Sequence, residues 1–238
     1  MHRLYALLFL LVCSQAAVAQ RANYDSLLSA MPTEVTGRVY QLVNDGEAFQ
    51  STHDYDSAIN CYHKILEILP NFAPALTTIS GLYGVSERYR QEIYWAHKAI
   101  AADSMYLNAW LNLGNAYASL KSYDTATMIF TLATHVDSRS PIPAYSLGTI
   151  EEEQGHYQQA LTYYIFSSAI DSNFTNGYYN AAMMYAQLGN PEEAKKMLLR
   201  QLEIDPYAKD AEIAYKEIEA KQKELENKDK KATKKRKK

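Results

Sequence analysis

Apolar and small residues recur along the chain at helical spacing, and the pattern itself repeats every 34 residues. The clearest copy runs from Leu107 to Ser140. It places Trp110, Leu113, Gly114, Tyr117, Tyr123, Ala126, Phe130 and Ala133 at internal positions 4, 7, 8, 11, 17, 20, 24 and 27. Shifting the frame by 34, with no insertion, finds the pattern again from 39, 73, 141 and 175. Position 8 holds Gly46, Ser80, Gly114, Gly148 and Ala182, all small, as close approach of two helices demands. Its expected counterpart on the second helix, position 20, holds Ala58, Glu92, Ala126, Ala160 and Ala194. Position 17 holds Tyr55, Tyr89, Tyr123 and Tyr157, then Pro191. The pattern predicts five helix-turn-helix units at 39–72, 73–106, 107–140, 141–174 and 175–206, each hiding the apolar side of the next.

Flanking segments read as caps. In residues 20–38, Tyr24, Leu27, Leu28 and Met31 share one helical face before Pro32 interrupts it. After Pro206, residues 207–227 carry a single apolar stripe of Ala208, Ala211, Tyr215, Ile218 and Leu225, which predicts a C-terminal capping helix with one wet face. Residues 228–238 hold eight basic residues and one acid, a net of +7, and are expected to be disordered. Residues 20–227 carry 15 basic and 26 acidic residues, about −11, so an acidic body bears a cationic tail.

The N-terminus opens with His2 and Arg3, an apolar run from Leu4 to Val12, and small residues ending Ala17-Val18-Ala19. That is the layout of a secretory signal peptide over residues 1–19, cut before Gln20. A Gln just after the cut resembles exported proteins of the Bacteroidota. The alternative is a lipoprotein anchored at Cys13, with bulky Val12 just before it. Cleavage before Gln20 leaves Cys61 as the sole cysteine, at a position that reads as a small buried hydrophobe.

Local chemistry marks one unit as different. In repeat two, Gly81 and Gly84 interrupt the first helix, each costing about 1 kcal/mol against Ala. Glu92 occupies tight position 20, where a carboxylate must find a partner or push the helices apart. This repeat is expected to open first. Asp56 is expected to cap the second helix of repeat one.

The Trp, Leu, Gly, Tyr, Ala, Phe and Ala spacing resembles the tetratricopeptide repeat (TPR). The resemblance implies an all-α, right-handed superhelical solenoid of five TPR helix pairs with N- and C-terminal capping helices. It also implies a concave groove lined by positions 2, 5, 6, 9, 12 and 13 of each first helix. Carried across, these include Tyr40, Asn44, Glu47, Thr78, Asn108, Asn112, Asn115, Tyr145, Thr149, Asn176, Tyr179 and Asn180. Position 5 is Val43, Thr77, Leu111, Tyr145 and Tyr179. The groove set lacks the Lys and Arg with which chaperone-binding TPR domains clamp a carboxylate. Asn recurs at position 6 (Asn44, Asn112, Asn180), similar to the asparagine ladder of the O-GlcNAc transferase superhelix, with Thr78 and Ser146 interrupting it. Such a row either holds an extended peptide backbone or is simply solvated.

No histidine pair has metal-ligand spacing, and no HExxH, CxxC, phosphate loop or nucleophile elbow occurs. Neither a cofactor nor a small-molecule substrate is expected, and the chain reads as a non-enzymatic scaffold for a protein or peptide in the cell envelope. The competing reading is a structural subunit that uses its convex face or caps. Lys234, Lys235, Arg236, Lys237 and Lys238 admit contact with anionic lipid, nonspecific nucleic-acid phosphate, or the acidic body itself. Specific nucleic-acid recognition is not expected.

Overall fold

The computed structural model describes residues 27–29 and 31–236. Among these the chain is all-α, with eleven helices longer than two turns and no strand. The signal-peptide segment, Cys13 and Tyr24 lie outside the described residues. The chain divides into two compact units, residues 1–129 and 130–238. Unit 1 holds α1 (Thr33–Ser51), α2 (Tyr55–Ile68), α3 (Ala73–Val85), α4 (Tyr89–Ala102), α5 (Leu107–Ser119) and the first half of α6 (Tyr123–Val136). Unit 2 holds the rest of α6, α7 (Ile142–Glu153), α8 (Tyr157–Ile170), α9 (Thr175–Gln187), α10 (Pro191–Ile204) and α11 (Lys209–Arg236). Odd-numbered helices up to α9 lead each pair; even-numbered helices trail.

Each pair is joined by the same turn. Position 15 is left-handed in all five: His53 (φ 62), Glu87 (φ 58), Lys121 (φ 59), Gly155 (φ 79) and Gly189 (φ 80). The next residue then donates its N–H back to the carbonyl five positions earlier: Asp54 to Phe49, Arg88 to Tyr83, Ser122 to Tyr117, His156 to Glu151 and Asn190 to Tyr185, all at 2.8–2.9 Å. This is a Schellman closure, which serves a carbonyl the ending helix leaves without a partner. Only two of the five left-handed sites carry glycine. A left-handed L-residue costs about 1–2 kcal/mol, so His53→Gly, Glu87→Gly and Lys121→Gly should each stabilise the fold by about 0.5–1 kcal/mol after glycine's greater chain entropy is counted. Thermal unfolding of the three variants checks this; a uniform fall in midpoint would contradict it.

Connections between pairs use aspartate. Asp103, Asp137, Asp171 and Asp205 each accept the N–H two residues on, at 2.9–3.0 Å. These are Asx turns, which fold the chain into the next leading helix. In repeat one the cap is Asp54, which accepts from the Ser57 N–H at 3.1 Å. Asp56 instead pairs with Arg88 at 2.7 Å, tying α2 to the start of the next trailing helix.

In unit 1, α1, α2 and α3 bury Val39, Leu42, Ile59, Ile65, Ile79 and Leu82 in one cluster. Leu28 joins that cluster at 1% exposure, with Met31 packed beside it. In unit 2, Ala182, Ala194, Leu198, Ala211 and Ala214 form a cluster to which α11 contributes the last two. The helix then runs on to Arg236 without a break, where disorder was expected from Lys228. Past Pro206 no Gly or Pro interrupts it, and Glu212–Lys216 and Glu219–Lys223 pair one turn apart. Strong helix formers and cations near the negative helix end favour that continuation.

Candidate functional site

The face formed by the leading helices was the expected binding surface, and its polar residues divide into two kinds. Some hold neighbouring helices together. Asn112 Nδ2 donates to the Thr77 carbonyl at 3.0 Å, joining α5 to α3. In unit 2, Asn180 Nδ2 donates to the Tyr145 hydroxyl at 2.7 Å, joining α9 to α7. Both bonds span 35 residues and connect position 6 to position 5 of the preceding repeat, so one device is used twice. The Oδ1 of each asparagine receives no hydrogen bond from the described residues.

Position 5 consequently packs and does not line an open groove. Val43, Thr77, Leu111 and Tyr145 are all buried, and Tyr179 is half-buried. Tyr145 lies 5.3 Å, ring to ring, from both Tyr164 and Phe174. Burial pushes its hydroxyl, and that of Tyr164, far above the usual phenol range. Tyr164 donates to Glu152 Oε2 at 2.5 Å and lies 3.4 Å from Thr149 Oγ1, which itself donates to the Tyr145 carbonyl at 3.2 Å. Burial raises the Glu152 carboxyl, and the Tyr164 bond opposes that shift. Tyr145, Thr149, Glu152, Tyr164 and Asn180 thus form one connected polar chain inside unit 2.

Other positions remain outward. Asn115 is exposed, Asn108 and Asn176 are half-buried, and no hydrogen bond from their side chains ties them to the described residues. Tyr40 packs on the first cluster, Asn44 is exposed, and Glu47 is half-buried. Thr78 turns its hydroxyl back to the Pro74 carbonyl at 2.9 Å. Tyr179 has its hydroxyl raised by burial and by the carboxylates of Asp210 and Glu217 on α11. Lys234, Lys235 and Arg236 occupy the last turns of α11, while Lys237 and Lys238 lie outside the described residues.

The carboxylate of Glu92 adopts neither expected solution. It is 2% exposed, and no ion pair or hydrogen bond reaches it from the described residues. It sits instead on bare Gly84, where a Cβ would come within 2.6 Å of Oε1. Gly84 therefore makes room for Glu92, and α3 and α4 stay in contact. Desolvation pushes the carboxyl up to about 8. Ser80 donates its hydroxyl to the Glu92 backbone carbonyl at 2.9 Å, closing the same seam. Among the described residues, no cluster of three His, Cys, Asp or Glu could hold a metal ion, and no helix is long and apolar enough to cross a membrane.

Leading helices alternating with trailing helices of 14 residues each, joined by one recurring turn, are the geometry of a helical repeat. Residues 107–138 and 175–207 match the model of the tetratricopeptide repeat. These segments are TPR repeats. Over 146 residues the chain is 23% identical to anaphase-promoting complex subunit 3 of Schizosaccharomyces pombe, covering 61% of this chain and 22% of that protein. It therefore spans less than a quarter of that relative's length. Among solved structures it is similar to a thermophilic TPR protein of Thermus thermophilus, with TM-score 0.63, 17% identity, and coverage of 76% of this chain and 98% of that one. It is also similar to YrrB, a TPR protein with an unusual peptide-binding site, with TM-score 0.52, 23% identity, and coverage of 74% and 90%. At these identities the two structures show a shared TPR fold.

Proposed function

We propose that the chain is a non-enzymatic scaffold, exported to the cell envelope, which holds a protein partner as an extended peptide on its leading-helix faces. The observation that carries this reading is the repeated asparagine device. With Nδ2 committed to the neighbouring helix, Asn112 and Asn180 are each fixed in orientation, and Oδ1 is left as an acceptor for a peptide N–H. Helices α3, α5, α7 and α9 contain no Lys or Arg, so a carboxylate clamp is not what this surface offers. YrrB, a TPR protein with an unusual peptide-binding site, is a precedent of the same kind.

Asn112 and Asn180 are poor test positions, because removing them also loosens the helix stack. Asn115→Ala with Asn176→Ala is the better probe. Partner capture from envelope extracts should fall while the thermal midpoint moves by no more than about 2–4 °C, since two changes of this kind together cost under about 1 kcal/mol. Undiminished capture would move the site elsewhere. The export reading further expects a mature chain that begins at Gln20, whereas a lipid-modified Cys13 terminus in the mass spectrum would favour the anchored form.

A second reading has its own support. Helix α8 contains no charged residue, yet Ile165 is 40% and Phe166 53% exposed. Adjacent large apolar side chains left open on a helix without charge mark a surface that a partner normally covers. On this reading the chain is a structural subunit, and Phe166→Glu, not the asparagine pair, abolishes assembly. The basic end of α11 would then serve as a separate contact to anionic surfaces.

A further inference from the structure

A cleft of about 620 Å³ lies in unit 1, between α2 and α4 on the trailing-helix side. Leu66, Leu76 and Trp95 supply its apolar lining, and His63, Glu67 and Lys98 its polar edge. The rings of His63, Trp95 and Tyr94 run as a strip, with successive centroids 5.0 and 5.4 Å apart in edge-to-face contact. Lys98 Nζ rests 4.7 Å from the Trp95 ring and 4.8 Å from Tyr94, which is 54% exposed. Three groups here have polar capacity that no hydrogen bond or ion pair among the described residues takes up. The Trp95 indole N–H makes no hydrogen bond to the described residues, while that of Trp110 donates to the Ser104 carbonyl at 2.9 Å. Lys98 has no carboxylate partner among the described residues, and neither has Lys64, the residue at the same repeat position on α2. Burial and the nearby Lys98 charge hold the His63 ring below its usual range, with Glu67 opposing them, so it is neutral at pH 7 and adds no charge.

A lysine without a carboxylate partner on the edge of an apolar cleft, and a second such lysine at the same position of the preceding repeat, stand out among the described residues of a body that carries about −11. We propose that this outer face of unit 1 docks an acidic peptide segment, which inserts one large apolar side chain between Trp95 and Leu66 and places carboxylates on Lys64 and Lys98. The His63 ring on α2 reaches the Trp95 ring on α4 at 5.0 Å, so the two helices stand on the order of 10 Å apart, a gap that about three residues of extended chain bridge. The matching ligand therefore has two acids about three residues apart, with the apolar anchor between them. Glu67 disfavours an acid at its own edge and so sets the direction in which the segment lies. This surface is separate from the leading-helix faces and uses none of their residues.

The probe is the blocked tetrapeptide acetyl-Glu-Phe-Ser-Glu-amide, titrated into the ¹⁵N-labelled full chain while the two indole N–H signals are followed by NMR. The Trp95 signal should shift saturably and that of Trp110 should stay. Binding should weaken in about 0.2 M salt, as exposed charge pairs do, and should survive Asn115→Ala with Asn176→Ala. Lys98→Glu should weaken it by about ten-fold, through a lost attraction and an added repulsion. Lys64→Glu should act in the same direction, and both lysines are exposed, so neither change threatens the fold. The proposal fails if the Lys-for-Glu peptide shifts Trp95 equally, if millimolar acidic peptide moves nothing, or if the shifts fall on α3 and α5.

Discussion

Glu92→Gln should make the folded chain more stable at pH 7, by about 2–4 kcal/mol relative to its effect at pH 4. Glu92 titrates near 8 in the fold and near the ordinary carboxyl value when unfolded. Between those values the native state holds a proton that the unfolded state has released. Unfolded chain binds fewer protons, so stability falls as pH rises through this window, and the loss is complete only above the folded value. The contribution is therefore fully present below about pH 4.5 and largely gone by about pH 8. Gln keeps the shape and the polar end but cannot ionise, so the variant lacks this slope. Urea unfolding of both proteins at pH 4, 5.5, 7 and 8 measures it; parallel stability curves would show that the carboxyl is ionised and served in the fold. The same reasoning makes repeat two the first to exchange its amide protons, because at neutral pH its seam is held by an acid kept neutral against its preference. Faster exchange in α3 and α4 above pH 7, removed by Glu92→Gln, would tie that opening to the carboxyl.

Repeat two also shows what was legible and what was not. Helix existence and phase could be read directly, because small and aromatic residues recur at fixed offsets and the packing of one pair on the next imposes that period. Tyr55, Tyr89, Tyr123, Tyr157 and Pro191 each begin a trailing helix, at the same repeat position. Gly84 looked like a helix defect and Glu92 like a misplaced charge. Their compensation was hidden because the two are eight residues apart in sequence and meet only across the turn. The asparagine row was visible as polarity, but not its direction: the oxygen that receives Asn112 Nδ2 is a backbone carbonyl, and a carbonyl leaves no mark on composition. Left-handed turns at His53, Glu87 and Lys121 were equally silent, because the geometry there is imposed by the flanking helices and not signalled by glycine. Asp54 displaced Asp56 as the cap for a related reason. The helix starts at Tyr55, so the residue before it is the one whose carboxylate meets the free N–H groups. For the tail, charge alone suggested disorder, yet Lys and Arg are good helix formers once a packed segment such as Ala211–Ile218 has nucleated the helix.

Gly148→Ala should destabilise unit 2 by about 2 kcal/mol, even though alanine is the better helix former by about 1 kcal/mol. A Cβ at Gly148 would lie 2.8 Å from Cδ1 and Cε1 of Tyr164 and 3.3 Å from the Ala160 carbonyl. The ring cannot swing aside: Tyr164 is 0% exposed, its hydroxyl is bound to Glu152, and the Tyr145 ring packs beside it at a tilt. The small residue at position 8 thus serves the large one at position 24 as much as its expected counterpart at position 20. Gly46 repeats the arrangement in unit 1, where a Cβ would meet Tyr62 Cε2 at 2.9 Å. Where position 24 is smaller the restriction relaxes, as with Ser80 opposite Ala96 and Ala182 opposite Leu198. The decisive comparison is a double-mutant cycle. Tyr164→Ala alone should cost about 3–5 kcal/mol through the cavity it leaves. In that background Gly148→Ala should change sign and stabilise by about 0.5–1 kcal/mol, since only helix propensity then remains. Additive losses across the cycle, read from urea midpoints at constant slope, would mean that the glycine answers to backbone proximity at Ala160 and not to the tyrosine ring.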